Sequence, residues 1–175
     1  RRVTAFIDGI TIEVKERPAS AQSVNWLPAS RVNLSEDWSR SLDDLQVGDS
    51  VVRTITMTAE GLDGAVLPPL SEENISGVNT YPDPPEIDRS FVDGSIVGTR
   101  IESTTLVATA AGELEIPQVT VPWWNVESDE MESSIIPATR INIASVAGEV
   151  PSEQAVASTE NLQDLLDRAP AVDQA

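Results

Sequence analysis

Carboxylates are the most abundant side chains in this chain that are able to do chemistry, and they gather in three clusters. The chain has 29 Asp and Glu against 11 Lys and Arg, and it contains no His and no Cys. The clusters are Asp43-Asp44 with Asp49, residues 83–88 and residues 127–130. Loops of carboxylates bind Ca²⁺, but none of these has the ligand spacing of an EF-hand. The sequence therefore favours a solvated acidic surface, with no metal site and no cofactor.

The absence of histidine and cysteine removes several classes of enzyme, because Ser-His and Cys-His dyads and the usual zinc sites cannot be built. Paired carboxylates serve glycoside hydrolases, and tryptophans such as Trp123-Trp124 often stack on sugar rings. Carboxylates are so frequent here, however, that two near one another carry little information. We therefore expect that this protein is not an enzyme and that it has no catalytic residues. Carbohydrate binding through the tandem tryptophans is the first alternative, and carboxylate-based glycoside hydrolysis is the less favoured one.

The formal net charge of -18 limits the range of partners. Nucleic acid and anionic lipid surfaces are bound through clustered Lys and Arg, which this chain lacks. We therefore expect a protein partner and no nucleic acid. No apolar stretch approaches the roughly 18 residues needed to cross a bilayer, so a membrane is expected to matter only through a segment absent from this sequence.

Short β-favouring runs separated by Gly, Pro and Asp fill the middle of the chain and predict an all-β fold. In the run at 51–59, Val51, Ile55 and Met57 share one face and threonines occupy the other. The proline-rich segments 67–70 and 81–85 are expected to be connectors. The number of strands suits an Ig-like antiparallel β-sandwich. The expected strands are residues 31–34, 51–59, 98–108, 113–116, 119–126 and 135–143, with one more near Tyr81.

The two ends of the chain have different patterns. Residues 3–7 and 10–14 flank Asp8-Gly9, a dipeptide typical of tight hairpin turns. We expect residues 1–17 to be the end of a preceding β domain, 18–23 a linker and 24–147 the sandwich. Residues 148–175 are expected to form a mostly unstructured tail, with a short helix at 159–168 where three leucines share a face.

An ordered series of short motifs covers roughly residues 24–147. It comprises Trp26-Leu27-Pro28-Ala29, Val47-Gly48-Asp49-Ser50, Arg53-Thr54-Ile55-Thr56, Ala59-Glu60-Gly61-Leu62, Leu67-Pro68-Pro69-Leu70, Gly77-Val78, Tyr81-Pro82-Asp83, Gly98-Thr99-Arg100, Gly112 with Ile116-Pro117, Pro122-Trp123-Trp124-Asn125 and Ile136-Pro137-Ala138. In its order this series resembles the BatD family of bacterial oxygen-tolerance proteins.

The resemblance implies a non-enzymatic protein–protein interaction domain with an Ig-like fold. Such a domain belongs to a periplasmic protein anchored to the inner membrane, within a bacterial aerotolerance and envelope-stress complex. The partners it implies are proteins of the bacterial envelope, including von Willebrand A-domain Bat proteins and a MoxR-type ATPase system. It implies no catalytic residues, and it makes the tail a linker toward a membrane helix outside this sequence.

Period-two geometry assigns roles to the tandem tryptophans, because adjacent residues of a strand point to opposite faces. Trp123 continues the face of Val119 and Val121 and is expected in the core, together with Ile55 and Met57. Trp124 is expected to point outward, so that its replacement by Ala costs only about 1 kcal/mol, against about 3–5 kcal/mol for Trp123. Pro122 places this strand at an edge or at a bulge, and a bulge would exchange the two faces. The alternative is that both tryptophans are structural. The residues expected to bind a partner are Trp124, Asn125, Tyr81 and Arg100.

Two arginines admit two interpretations: Arg53 interrupts the apolar face of its strand, and Arg100 lies at the start of another. Each is either an anchor for a partner or half of an internal ion pair with a nearby carboxylate. For Arg53 the structural role is the favoured one.

Overall fold

The computed structural model describes residue 9 and residues 11–19, 25–70 and 75–146. Eleven strands and a short 3-10 turn, Gly64–Val66, make up the regular structure of the main part, and no α-helix occurs among the described residues. The expected all-β class, rich in antiparallel pairs, is confirmed. The strands are β1 Pro28–Ala29, β2 Arg31–Trp38, β3 Leu45–Gln46, β4 Ser50–Glu60, β5 Val78–Pro82, β6 Glu86–Val92, β7 Ser95–Ala108, β8 Gly112–Ile116, β9 Val119–Asn125, β10 Glu130–Ile136 and β11 Thr139–Ala144.

The larger sheet has the order β2-β4-β7, and the far edge of β7 carries two further strands. β5 pairs with the last part of β7, and β6 pairs with its first part, all antiparallel. β4 is central because β2 and β7 pair with its two edges. On its inner face Val51, Ile55 and Met57 are buried, as the alternation predicts. The residues of β7 opposite Arg53, Ile55 and Met57 are Thr104, Glu102 and Arg100, so the inner face of this sheet also bears polar side chains.

The second layer is a long two-stranded ribbon with a break in the middle. β9 pairs with β10 and β8 pairs with β11 in the same antiparallel register, since Ile136 lies opposite Val119 and Thr139 lies opposite Ile116. The break coincides with Pro117 and with Pro137. Proline cannot donate a ladder hydrogen bond, which explains why the pairing stops there. β1 extends the β9 side and β3 extends the β11 side, each in parallel.

Two apolar clusters fill the space between the layers. Each cluster packs the inner face of the larger sheet against one half of the ribbon: the first against β9 and β10, and the second against β8 and β11. The first contains Leu27, Ala29, Val32, Ile55, Met57, Ala59, Leu67, Leu70, Val121, Trp123 and Ile136. The second contains Leu45, Val51, Leu106, Ala108, Leu114, Ile116, Ile141 and Ile143.

The turn that follows β4 packs backbone to backbone against β7. A Cβ on Gly98 would lie 2.3 Å from the backbone nitrogen of Gly64, so only glycine fits there. Asp63 begins the turn, and its carboxylate accepts the Ala65 N–H at 2.9 Å and the Arg89 Nη1 at 3.0 Å. The hydrogen bond from Ala65, joined by the charge of Arg89, holds the pKa of Asp63 below its ordinary value.

The ends of the expected domain layout fall mostly outside the described residues. The first strand of the expected hairpin, the tail at 148–175 and its helix at 159–168 all lie there. Of the hairpin's second strand, residues 11–14 are described and belong to no strand, and Ile12 and Val14 are 79% and 84% exposed. The expected strand at 10–14 is therefore not formed at residues 11–14, which pair with no strand of the described part of the chain.

Candidate functional site

The tandem tryptophans of β9 point to opposite faces, and both are buried. Trp123 is 5% exposed and packs in the first apolar cluster with Val121, while Val119 is half-buried against the same cluster. Trp124 is 9% exposed. The opposite orientation agrees with the extended backbone, but the expectation that Trp124 is exposed to a partner is wrong. Because Trp124 lies on the outer face of the sheet, another part of the protein must shield its ring from solvent.

Trp26 supplies that cover. Its ring centroid lies 5.9 Å from that of Trp124 with the planes inclined by 32°, within the range of favourable aromatic pairs. The guanidinium carbon of Arg17 lies 5.1 Å from the Trp26 ring centroid, a cation–π arrangement. β1 begins two residues after Trp26 and pairs in parallel with β9, with Pro28 opposite Trp124, which brings the two rings close together. The surface of the Trp124 ring that would otherwise face solvent is thus in contact with Trp26 of the same chain.

Asn125 organises the turn between β9 and β10. Its Oδ1 accepts the backbone N–H groups of Glu127 at 2.8 Å and Ser128 at 3.2 Å. Its Nδ2 donates to Glu132 Oε1 at 2.6 Å. These bonds give Asn125 a structural role as the cap of a turn, so the interpretation of Asn125 as a partner contact receives no support from its geometry.

The two arginines on the inner face of the larger sheet form ion pairs. Arg53 Nε lies 2.7 Å from Glu36 Oε1, with the Arg53 side chain 11% exposed, and Trp38 lies beneath the guanidinium at 5.6 Å. Arg100 Nε lies 2.6 Å from Glu102 Oε1, with the Arg100 side chain 12% exposed. Arg100 is therefore not an exposed anchor for a partner; its contact matches the other interpretation, an internal ion pair with a nearby carboxylate. For Arg53, the ion-pair interpretation matches the contact that it makes.

Tyr81 is 56% exposed on β5, so one of the four residues assigned to partner binding is open to solvent. The next strand, β6, was not expected from the sequence, and all seven of its residues are exposed. Ile87 is 48%, Phe91 70% and Val92 52% exposed. A local signal for β6 exists: Asp93-Gly94 forms its turn into β7, with φ angles of 50° and 82°, as a type I′ hairpin requires.

β6 presents an open backbone edge, and β7 is its sole strand partner among the described residues. Unpaired edges with apolar side chains are sites at which another strand adds to a sheet. We name this strand, with its exposed apolar side chains Ile87, Phe91 and Val92, the β6 edge. Its charge is acidic, because Glu86 and Asp88 are exposed while Arg89 is already paired with Asp63 at 3.0 Å.

A cavity of about 460 Å³ lies between the layers, beside the break in the ribbon. Its walls include Arg53, Ile55 and Thr104 on the sheet and residues 117–122 on the ribbon. Glu102 is the one carboxylate among its lining residues, and both of its oxygens accept hydrogen bonds, from Arg100 Nε and from the Leu70 N–H. The cavity therefore lacks the pair of carboxylates that glycoside hydrolysis uses.

Within the described part of the chain, no group of three or more carboxylates is placed to hold a metal ion. None of the helical segments described there has the length and apolar character needed to span a bilayer. No family model matches the chain, and searches of curated proteins and of solved structures give no match.

Proposed function

We propose that this chain is a non-enzymatic protein–protein interaction domain that binds its partner along the β6 edge. The observation that carries the proposal is a strand of seven exposed residues, with Phe91 70% exposed, whose second edge pairs with no strand of the described part of the chain. An extended segment of a partner that adds to such an edge gains main-chain hydrogen bonds along its length, and alternate side chains give it specificity.

The occupant of the edge is an extended basic segment of another protein. Glu86 and Asp88 are exposed, and as the neighbours of Ile87 in the strand they lie on the face opposite to its apolar side chain. The whole chain carries a charge of -18. A second copy of this chain would bring like charges to the contact, which costs free energy. A segment that alternates basic and apolar residues matches both the charge and the exposed side chains.

Carbohydrate binding through the tandem tryptophans is the weaker alternative. Stacking on a sugar ring needs an exposed aromatic face, whereas Trp123 and Trp124 are 5% and 9% exposed. Glycoside hydrolysis is weaker still, because the cavity between the sheets offers one carboxylate, Glu102, which is held by Arg100. Neither alternative makes use of the exposed β6 edge.

The ordered motif series supports a cellular setting for this domain. On that basis we place it in a BatD-like protein of the bacterial periplasm, anchored to the inner membrane through a segment outside this sequence. Its partners are then envelope proteins of an aerotolerance complex, such as von Willebrand A-domain Bat proteins and a MoxR-type system. The support for this setting is the sequence resemblance; the support for the β6 edge is geometric and independent of it.

A peptide titration tests the β6 edge. The probe is a synthetic octapeptide of alternating Lys and Val, followed by the amide NMR spectrum of the whole chain at low and high salt. We expect shifts at β6 that weaken as salt rises, since surface charge is screened beyond about 8 Å at physiological ionic strength. An alternating Glu and Val octapeptide is the matched control and is expected not to bind.

Two serine variants localise the contact. Phe91→Ser removes an exposed apolar side chain of the β6 edge, and Ile135→Ser removes one that is 55% exposed on β10. We expect Phe91→Ser to weaken binding of the basic peptide about tenfold, because it removes the most exposed large apolar side chain of the β6 edge, and we expect Ile135→Ser to leave binding unchanged. Equal effects of the two variants, or equal binding of the two peptides, would refute the proposal.

A further inference from the structure

The cavity beside the ribbon break is larger than a packing defect. Protein interiors are close-packed, with few voids larger than one water molecule, whereas this cavity measures about 460 Å³, within the range of small-molecule sites. The inner face of β4 and β7 forms its floor and the first residues of β9 form its roof. The apolar lining residues include Leu27, Ile55, Leu70, Leu106, Val119 and Val121.

Arg53 lines this cavity with unused hydrogen-bond donors. Its Nε donates to Glu36, and no other hydrogen bond of its guanidinium is formed to a residue that the structure describes. Trp123 Nε1 is the one side-chain nitrogen or oxygen in the described ranges that is both buried and unpartnered. The two Nη atoms of Arg53 are therefore in contact with accessible space, where a ligand can reach them.

The other charged group of the floor does not compete for these donors. Glu102 accepts from Arg100 Nε at 2.6 Å and from the Leu70 N–H at 3.1 Å. With Glu36 on Arg53 and Glu102 on Arg100, the two ion pairs leave the floor without net charge. Thr104 lies opposite Arg53 in the register and also lines the cavity.

From this arrangement we infer that the cavity binds a small amphipathic monocarboxylate, with its carboxylate on the Nη atoms of Arg53 and its apolar body against Ile55 and Leu106. The end of a guanidinium takes a carboxylate through two parallel hydrogen bonds, and charge assistance makes such bonds about twice as strong as neutral ones. An aliphatic or aromatic body fits the apolar walls. This inference does not depend on the proposed use of the β6 edge.

The test is a titration of the whole chain with octanoate, monitored by amide NMR, with octanamide and octan-1-ol as comparison probes. The expected order of affinity is octanoate, then octanamide, then octanol, with shifts at the residues that line the cavity. Arg53→Lys keeps the positive charge near Glu36 but loses the planar fork, so we expect octanoate to bind about tenfold more weakly. Equal affinity for the three probes would overturn the role of Arg53.

A matched pair of variants tests whether the ligand enters the cavity. Thr80 lines it and is half-buried, whereas the neighbouring Asn79 is exposed and does not line it. Thr80→Phe is expected to abolish octanoate binding by filling the space, and Asn79→Phe is expected to leave binding intact. The melting temperature of each variant shows that it is folded. Unchanged octanoate binding in folded Thr80→Phe, or an absence of octanoate binding to the original chain, would overturn the inference.

Discussion

Replacement of Trp124 by Ala is expected to destabilise the protein by about 3 kcal/mol, not by the 1 kcal/mol of an outward-facing residue. Trp124 is 9% exposed. A tryptophan buries about 150–250 Å², which at about 25 cal/mol per Å² gives an upper bound of about 4–6 kcal/mol. The cost falls below that bound because a single ring, Trp26, covers the outer face and can relax into the space.

A double-mutant cycle separates the energy of the contact between the Trp26 and Trp124 rings from the energy of burying each ring alone. Trp26 is half-buried, so we expect Trp26→Ala to cost about 1–2 kcal/mol. Because the rings of Trp26 and Trp124 lie 5.9 Å apart, the coupling energy in the cycle should be about 0.5–1.5 kcal/mol. The assay is urea unfolding followed by far-UV circular dichroism, with unchanged m-values as the control. A coupling below about 0.3 kcal/mol, the additivity limit for independent sites, would refute the contact.

Three further changes probe the interior and the turn after β4. Gly98→Ala would force a Cβ against backbone atoms and should lower stability by about 1–3 kcal/mol, whereas Gly9→Ala, whose Cβ meets nothing within 4 Å, should have no effect in thermal unfolding. Asp63→Asn keeps the cap but loses the charge facing Arg89. The pKa of Asp63 in the folded protein lies below the ordinary value of 3.8. At any pH above that value, the original chain should therefore exceed the variant in stability by the full difference. This stability difference should disappear as the pH falls through the pKa of Asp63 in the folded protein. A difference in urea unfolding that does not change with pH would contradict this. Trp123→Phe should cost only about 1–2 kcal/mol, because it also removes an indole N–H that is buried without a partner; a loss in urea unfolding as large as that of Trp123→Ala would show that the N–H is satisfied.

Local patterns in the sequence predict those parts of the fold that depend on neighbouring residues. The strand at β4 was predictable because its apolar residues recur at period two, and the buried face has the residues expected. The end of β10 and most of β11 were expected as one strand at 135–143, but Pro137 interrupts it. β6 is not predicted from its own residues, although Asp93-Gly94 is a typical turn into the next strand. Prolines precede it and charged residues surround Ile87, so the sequence lacks a clear apolar alternation there.

Contacts between distant residues could not be predicted in this way. Period two predicts that Trp124 points away from Trp123, but it does not predict that Trp26, almost a hundred residues earlier, covers the ring. The same holds for Arg53, which the sequence left as either an anchor or an ion pair. Its partner Glu36 belongs to β2, and the register between β2 and β4 decides that the two side chains share a face.

The ribbon break explains why the interior contains both a cavity and ion pairs. An unbroken ribbon would place apolar side chains against the whole inner face of β4 and β7, and buried ion pairs would then be costly. At Pro117 and Pro137 the ladder stops, the apolar contacts divide into two clusters, and Arg53 and Glu102 lie beside the gap between them. Accessible space beside these charges lowers their desolvation cost, so the sheet tolerates polar residues at positions where its alternation would otherwise require apolar ones.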